Sequence, residues 1–256
     1  MASTINRLMS EWPKGAVGTA DWLQSQGVSR QLTRRYVESG WLKVLGRGAF
    51  LRATDEPDWL GGVYALQHQL GLRVHVAAET ALSLKGLGQY LPLGNRAVAH
   101  LFTAPGERLP AWFVRYPWEV PVQRKAPTLF RVSDPATLSE VQRGDFKVWV
   151  SSPEQAIMEV MYLATSNDAI DHAVELSRGL STLRPNVIQT LLQACRSVKV
   201  KRLFLWAADS AGHAWLERLD LDSLDLGKGK RSLYRGGQFD TKYQITVPRQ
   251  EGLPDA

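Results

Sequence analysis

The narrowest constraint on this chain lies between Gly27 and Gly40. Ser29 is placed to cap the first amides of a helix beginning at Arg30, and Gly40 supplies the left-handed position at which such a helix ends. The segment is thereby limited to about ten helical residues, 30–39. Upstream, Thr19 is placed to cap another short helix in which Ala20 and Leu23 face inward, three residues apart. Gly27 stops that helix, and Val28-Ser29 makes the turn. Two short helices joined by a Gly-containing turn are a helix-turn-helix. Ahead of them, Ile5, Leu8, Met9 and Trp12 form one apolar stripe on a first helix, ended by Pro13-Lys14-Gly15.

On a helical wheel the 30–39 segment divides into two faces. Val28, Leu32 and Tyr36 cluster as the buried side, with Arg30 and Arg34 opposite, flanked by Thr33 and Gln31. Guanidinium groups reach two acceptors on guanine, and glutamine does the same on adenine, so this face suits a major groove. An ordinary exposed helix face is the alternative. After Gly40, the runs 41–45 and 49–52 flank Gly46-Arg47-Gly48 and read as a β-hairpin, a wing with Arg47 at its tip. Glycine on both sides of Arg47 is expected to supply positive φ, and the arginine is placed for a phosphate or the minor groove. Arg35 and Lys43 complete the set of basic side chains expected at double-stranded DNA.

Charge distribution supports this head. Residues 1–52 carry eight Lys/Arg against three acids, which is +5 of a chain total of +6. With 256 residues, 44 % hydrophobic side chains and nine tryptophans, the chain has ample material for a packed core. Its longest uncharged run, the fourteen residues between Asp58 and Arg73, contains Gln67, His68 and Gln69 and is too short and polar to span a bilayer. The amino terminus lacks a secretory pattern, and the single cysteine, Cys195, allows no internal disulfide. A cytoplasmic protein is expected.

The remainder reads as a larger α+β domain, strands then helices, so the fold class is α+β with an amino-terminal winged helix-turn-helix. The polar, Pro57-containing stretch 53–58 sets the expected division at 1–55 and 56–256, with a connecting helix over 59–70. A further helix is expected over 77–84, strands over 97–103, 111–116, 128–132 and 146–151, and a helix opened by Ser152-Pro153-Glu154. Helical periodicity continues over 169–180, 186–195 and 198–207, before a final strand at 243–247.

Patterns for chemistry are sparse. Nucleophile-elbow, phosphate-loop and zinc-protease motifs are absent, and the five histidines show no ligand spacing. No catalytic residue, metal or cofactor is expected. Cys195, among Leu191, Leu192 and Ala194, reads as a packing thiol. Asp145-Phe-Lys147 and Asp240-Thr-Lys242 each match half of a metal-dependent nuclease motif without a well-placed upstream acid. A nuclease and a ligand-responsive repressor with the same head therefore stay open as alternatives. The run 227–237 carries Lys228, Lys230, Arg231 and Arg235 between glycines. It reads either as a clamp for a phosphate-rich partner through amides and charge, or as a solvated basic loop.

Taken together, Gly27-Val-Ser-Arg-Gln-Leu32, Gly40-Trp-Leu42, Gly46-Arg-Gly48, Ala78-Glu-Thr-Ala-Leu-Ser-Leu-Lys-Gly-Leu87, Ser151-Ser-Pro-Glu-Gln-Ala156 and the Gly-Lys-Gly-Lys-Arg run ending near Val247-Pro248 are similar, in order and spacing, to AbiEi-type antitoxins of type IV toxin–antitoxin systems. The resemblance implies an autorepressor that binds operator inverted repeats through its amino-terminal winged helix, with cooperative self-association on DNA an option. It implies a carboxy-terminal domain that counteracts a nucleotidyltransferase-like toxin, without a stable complex being required and without enzymatic activity. By position, the recognition role falls on Arg30, Gln31, Thr33 and Arg34, and the wing role on Arg47.

Overall fold

The computed structural model describes residues 4–88, 98–131 and 135–249. Ala97 and Val132, the ends of two expected strands, lie outside the described residues, as do 1–3 and 250–256. In chain order the first elements are α1 (Thr4–Glu11), β1 (Gly18–Thr19), α2 (Ala20–Ser25), α3 (Arg30–Glu38), β2 (Leu42–Gly46), β3 (Ala49–Arg52) and α4 (Trp59–Tyr64), continued by a π-helical turn, Ala65–Gln69. Next come β4 (Val74–Val76), α5 (Ala78–Leu84), β5 (Ala99–Thr103), α6 (Ala111–Arg115), β6 (Val122–Lys125), β7 (Leu138–Arg143) and β8 (Phe146–Ser151). Four helices follow, α7 (Pro153–Leu163), α8 (Asn167–Arg178), α9 (Pro185–Ala194) and α10 (Val198–Ser210), and then β9 (Arg231–Ser232), β10 (Gln238–Asp240) and β11 (Ile245–Val247). The fold is α+β, with small helices and a small sheet ahead of a larger mixed portion.

Two compact units form, one from 1–76, 94–127 and 140–150, the other from 77–93, 128–139 and 151–256. In the first, β1, β3 and β2 make an antiparallel sheet in that order, with Phe50 paired to Gly18 on one side and Val44 on the other. Strand β1 has only two residues, too few for any sequence pattern. Its Gly18 is dictated by Trp12, because a Cβ there would lie 2.3 Å from the indole ring. Trp12 is buried, donates Nε1–H to the Ala16 carbonyl at 2.8 Å and meets Trp22 edge-on at 5.1 Å. Arg52 reaches back from β3 to donate to the Trp12 carbonyl at 3.0 Å, at the end of α1.

The second sheet of this unit has the order β6-β5-β4-β8-β7. It is tied to the first by the π-helical turn. Gln69 accepts from the Thr19 amide and donates to the Val17 carbonyl, both at 2.8 Å, so its side chain acts as a further rung beside β1. Gln67 donates to the Val74 and Trp149 carbonyls at 2.9 and 3.0 Å and accepts from the Trp149 amide at 2.8 Å. It thus bridges β4 and β8 beside their parallel Val76–Val150 pairing, two residues before it on β4 and one before it on β8. The helix expected over 59–70 is present with this wider final turn. Gly61 lets it approach the chain closely, since a Cβ would fall 1.9 Å from the Gly15 carbonyl oxygen.

Two expected strands are corrected. The strand expected over 111–116 is instead the helical turn α6, Ala111–Arg115, because Trp112 and Phe113 are both buried while Val114 is exposed. A strand would send those two adjacent rings to opposite faces, whereas a helix keeps them about 100° apart. Residues 128–131 make an isolated bridge, Phe130 to Cys195, and no strand. Strands β6 and β7 have no legible sequence pattern because Val122-Gln-Arg-Lys125 and Leu138-Ser-Glu-Val-Gln-Arg143 are exposed or half-buried at the sheet edges, where no apolar alternation is needed.

The second unit is built around α7, buried on every side from Glu154 to Met161. Its two acids are satisfied rather than solvated. Glu159 accepts from the Ala78 amide (2.8 Å), Ser151 Oγ (2.8 Å) and Gln155 Nε2 (2.7 Å), and so holds the start of α5, where Ala78 has φ +52°. Glu154 accepts from the Arg184 amide and from its guanidinium, all three bonds at 2.9 Å. Burial opposes ionisation of Glu154, but these bonds outweigh it and hold the carboxyl at about 2.

Two outcomes follow from these contacts. Gln67→Leu strands the Val74 carbonyl, which is buried, and the part-buried Trp149 amide and carbonyl, and is expected to cost about 2 kcal/mol in urea unfolding; a loss under about 0.5 kcal/mol contradicts the bridging role. Glu154 has its folded pKa below the unfolded value of 4.5, so its contribution is complete above that value and disappears as pH falls toward about 2. Thermal unfolding across that window should show an acid slope that is diminished in Glu154→Gln.

Candidate nucleic-acid interface

Helices α2 and α3 are bounded by the same devices at both ends. Thr19 Oγ1 accepts from the Trp22 amide and Ser29 Oγ from the Leu32 amide, each at 3.2 Å. At the far ends, Gly27 and Gly40 have φ +78° and +75°. Val28 then donates to the Leu23 carbonyl and Trp41 to the Tyr36 carbonyl, each at 2.9 Å, the pairing expected of a glycine-terminated helix. The turn of three residues, Gln26 to Val28, therefore has its conformation dictated by local chemistry, and α3 leaves it with Leu23 and Val28 buried beneath.

Along α3 the exposed residues are Arg30, Gln31, Arg34, Arg35 and Glu38. At 100° per residue they occupy one continuous arc of about 140°. Thr33, expected to flank this face, belongs to the other side: it is buried, and its hydroxyl donates to the Ser29 carbonyl at 3.0 Å. The buried direction runs between Thr33 and Tyr36, about 70° round from Leu32, which is only half-buried. A β-branched polar residue satisfied by its own helix backbone is indistinguishable in sequence from an outward-facing one.

Arg34 Nε is 2.8 Å from Glu38 Oε1, with the two side chains 82 % and 59 % exposed. Among the described residues, Arg30, Arg35 and Arg47 have no carboxylate within ion-pairing distance. Arg47 stands exposed at the end of the β2–β3 hairpin. Only Gly48 there has the positive φ expected of both neighbours, at +78°. Gly46 is required for a different reason, because a Cβ would lie 2.8 Å from Trp112 Cβ on α6. Lys43 is half-buried, 3.9 Å from the exposed Glu56, a contact too long to confine it. Trp41 and Val44 are also exposed on this hairpin, at 49 % and 59 %. Val44 was unreadable as an outward residue because alternation groups it with buried Leu42.

In the other unit, the basic run is held from inside by Arg202. That buried guanidinium donates to the carbonyls of Leu226 (2.8 Å), Gly227 (3.0 Å), Gly229 (2.7 Å) and Gln244 (3.0 Å). Lys201 donates to the Asp225 carbonyl beside it. The expectation that backbone amides share in gripping phosphate is corrected for much of the run. The amides of Gly227, Arg231, Leu233, Tyr234 and Arg235 already bond to Asp225, Gln244, Thr246 (twice) and Asn167. What the loop presents is side chains: Lys228, Lys230, Arg231 and Arg235 are exposed, with Lys230 5.0 Å over the Phe239 ring.

The residues weighed for catalysis have other engagements. His172 lies 2.9 Å from Glu79, and Cys195 is buried with its thiol pushed upward by that burial. Asp240 accepts from the Tyr243 amide at 2.7 Å, and Lys242 pairs with Asp209 at 2.5 Å. Lys147 pairs with Glu140 at 2.8 Å. Among the described residues no three His, Cys, Asp or Glu side chains converge as a metal site. No helix there is long and apolar enough to cross a membrane.

Comparison with known proteins adds three findings. Residues 96–248 match the family described as transcriptional regulator, AbiEi antitoxin, type IV TA system, and residues 1–93 match that family's amino-terminal domain. The crystal structure of the RV2827C protein from Mycobacterium tuberculosis superposes with a TM-score of 0.61 at 16 % identity, over 95 % of this chain and 89 % of that one. No curated protein matches the chain.

Arg47→Ala is expected to lower affinity for every duplex alike and to reduce the dependence of log K on log salt by about one. Fluorescence anisotropy at several salt concentrations measures this, and an unchanged slope contradicts a phosphate-contacting role for Arg47.

Proposed function

The chain belongs to the AbiEi family of transcriptional regulators and antitoxins of type IV toxin–antitoxin systems, and from that premise we propose that it represses its own operon by binding inverted repeats in the promoter DNA. The observation that carries this is the continuous outward arc of Arg30, Gln31, Arg34 and Arg35 on α3, with Arg47 at the wing tip. In this reading residues 1–55 are the DNA-binding head. Helix α3 lies in a major groove, Arg34 reads a base edge, and Lys43, Arg35 and Arg47 meet phosphate. Cooperative self-association on neighbouring repeats belongs to the same proposal.

Residues 56–256 supply the antitoxin function, opposing a nucleotidyltransferase-like toxin in the cytoplasm without catalysis and without a required stable complex. The exposed Lys228, Lys230, Arg231 and Arg235 are the part of that portion best suited to a phosphate-bearing partner, since their loop is anchored from behind by Arg202. DNA binding and neutralisation then rest on different residues.

Electrophoretic shift of the chain's own upstream DNA tests the first half. Arg34→Ala should lose about 1–3 kcal/mol of discrimination between the preferred and a mismatched duplex, whereas equal weakening on every sequence rules out direct readout. For the second half, Arg30→Ala/Arg34→Ala is expected to derepress a promoter reporter yet still rescue growth when co-expressed with the toxin encoded alongside. Loss of both activities together counts against separate surfaces.

A further inference from the structure

We infer that Glu38 is a positioning residue for sequence readout, its carboxylate holding Arg34 by Nε so that the Nη1 and Nη2 amino groups alone are presented to the duplex. The inference rests on the reading of α3 as the recognition helix. Its geometry is on one turn: Arg34 Nε and Glu38 Oε1 are 2.8 Å apart, at positions i and i+4 on the same outward arc. A guanidinium has five N–H donors in a planar fork, and engaging the one on Nε restricts rotation of the whole group. The remaining edge carries two parallel donors, the pattern that matches O6 and N7 of guanine. Ordering this long side chain before the duplex arrives reduces what must be immobilised on binding.

Helix stability does not account for the pair. An exposed ion pair contributes little, and arginine ahead of the acid is the less favourable order for an i,i+4 contact. Glu38 is also the last residue of α3, where the helix dipole favours a cation. It is moreover a negative charge on the face that meets a polyanion, so it lowers affinity for all DNA. A residue that opposes both helix and general binding, yet contacts the central arginine of the arc, is accounted for by selectivity.

The test begins with selection from a randomised duplex pool by the full chain, which defines a preferred sequence. The base pair read by Arg34 is the one whose preference disappears in Arg34→Ala. Glu38→Ala should reduce discrimination at that pair by roughly tenfold, while affinity for unrelated duplex rises. Glu38→Gln, whose amide oxygen still accepts from Nε, should keep most of the discrimination and share the rise. In an Arg34→Ala background, Glu38→Ala should change discrimination no further. If Glu38→Ala raises affinity for all duplexes equally and leaves discrimination intact, the inference is overturned and Glu38 is only a repelling charge. If Arg34→Ala itself leaves every base preference unchanged, the recognition-helix reading fails first, a result distinct from the failure of Glu38 alone.

Discussion

Two glutamine side chains close the gaps on which the placement of the winged helix depends. Gln69 completes the backbone pairing of Val17 and Thr19, while Gln67 does the same for Val74 and Trp149. Because the two lie two positions apart in one π-helical turn, the strand that precedes α2 and the strands β4 and β8 are fixed to a common piece of helix. Each net hydrogen bond contributes only about 1 kcal/mol, but leaving a buried backbone group unmet costs about 1–3 kcal/mol. The arrangement is therefore far more costly to break than its bonds are individually strong. Wide helical turns of this kind turn side chains to positions an α-helix does not reach.

The same asymmetry governs the charges. On α3 the arginines stand in water, where an ion pair adds little to fold stability and serves instead to orient a side chain. Under the basic loop the opposite holds. Arg202 has lost its water and is satisfied by four carbonyls, so its role is to shape the chain segment that carries Lys228, Lys230, Arg231 and Arg235. Glu154 and Glu159 are likewise enclosed and occupied by donors, from Arg184 for the first and from Ala78, Ser151 and Gln155 for the second. Buried ions in this protein order backbone; exposed ones are the available surface.

The same division applies to the residues with catalytic side-chain chemistry. His172, Asp240 and Lys242 are engaged with Glu79, the Tyr243 amide and Asp209. Among the described residues, exposed cations lie on α3, at the β2–β3 hairpin tip and on the 227–237 loop, a chemistry suited to a polyanion.

Much of the head was legible from residues alone, because its boundaries are local. Thr19, Ser29, Gly27 and Gly40 act within four positions of themselves, so the caps and glycine stops inferred from sequence recur in the structure, with α3 ending one residue earlier than expected, at Glu38. The wing and the acid-and-proline start of α7 were readable for the same reason. Decisions taken at longer range were not. Whether Thr33 faces in or out depends on what packs beneath α3; whether Trp112 and Phe113 share a helix or alternate on a strand depends on two walls meeting there. Gly18, Gly46 and Gly61 are required by Trp12, Trp112 and Gly15, partners up to sixty-six positions away. Local hydrogen bonding wrote the helix ends into the sequence, whereas close packing between distant segments selected the faces, and that selection exists only once the chain has folded.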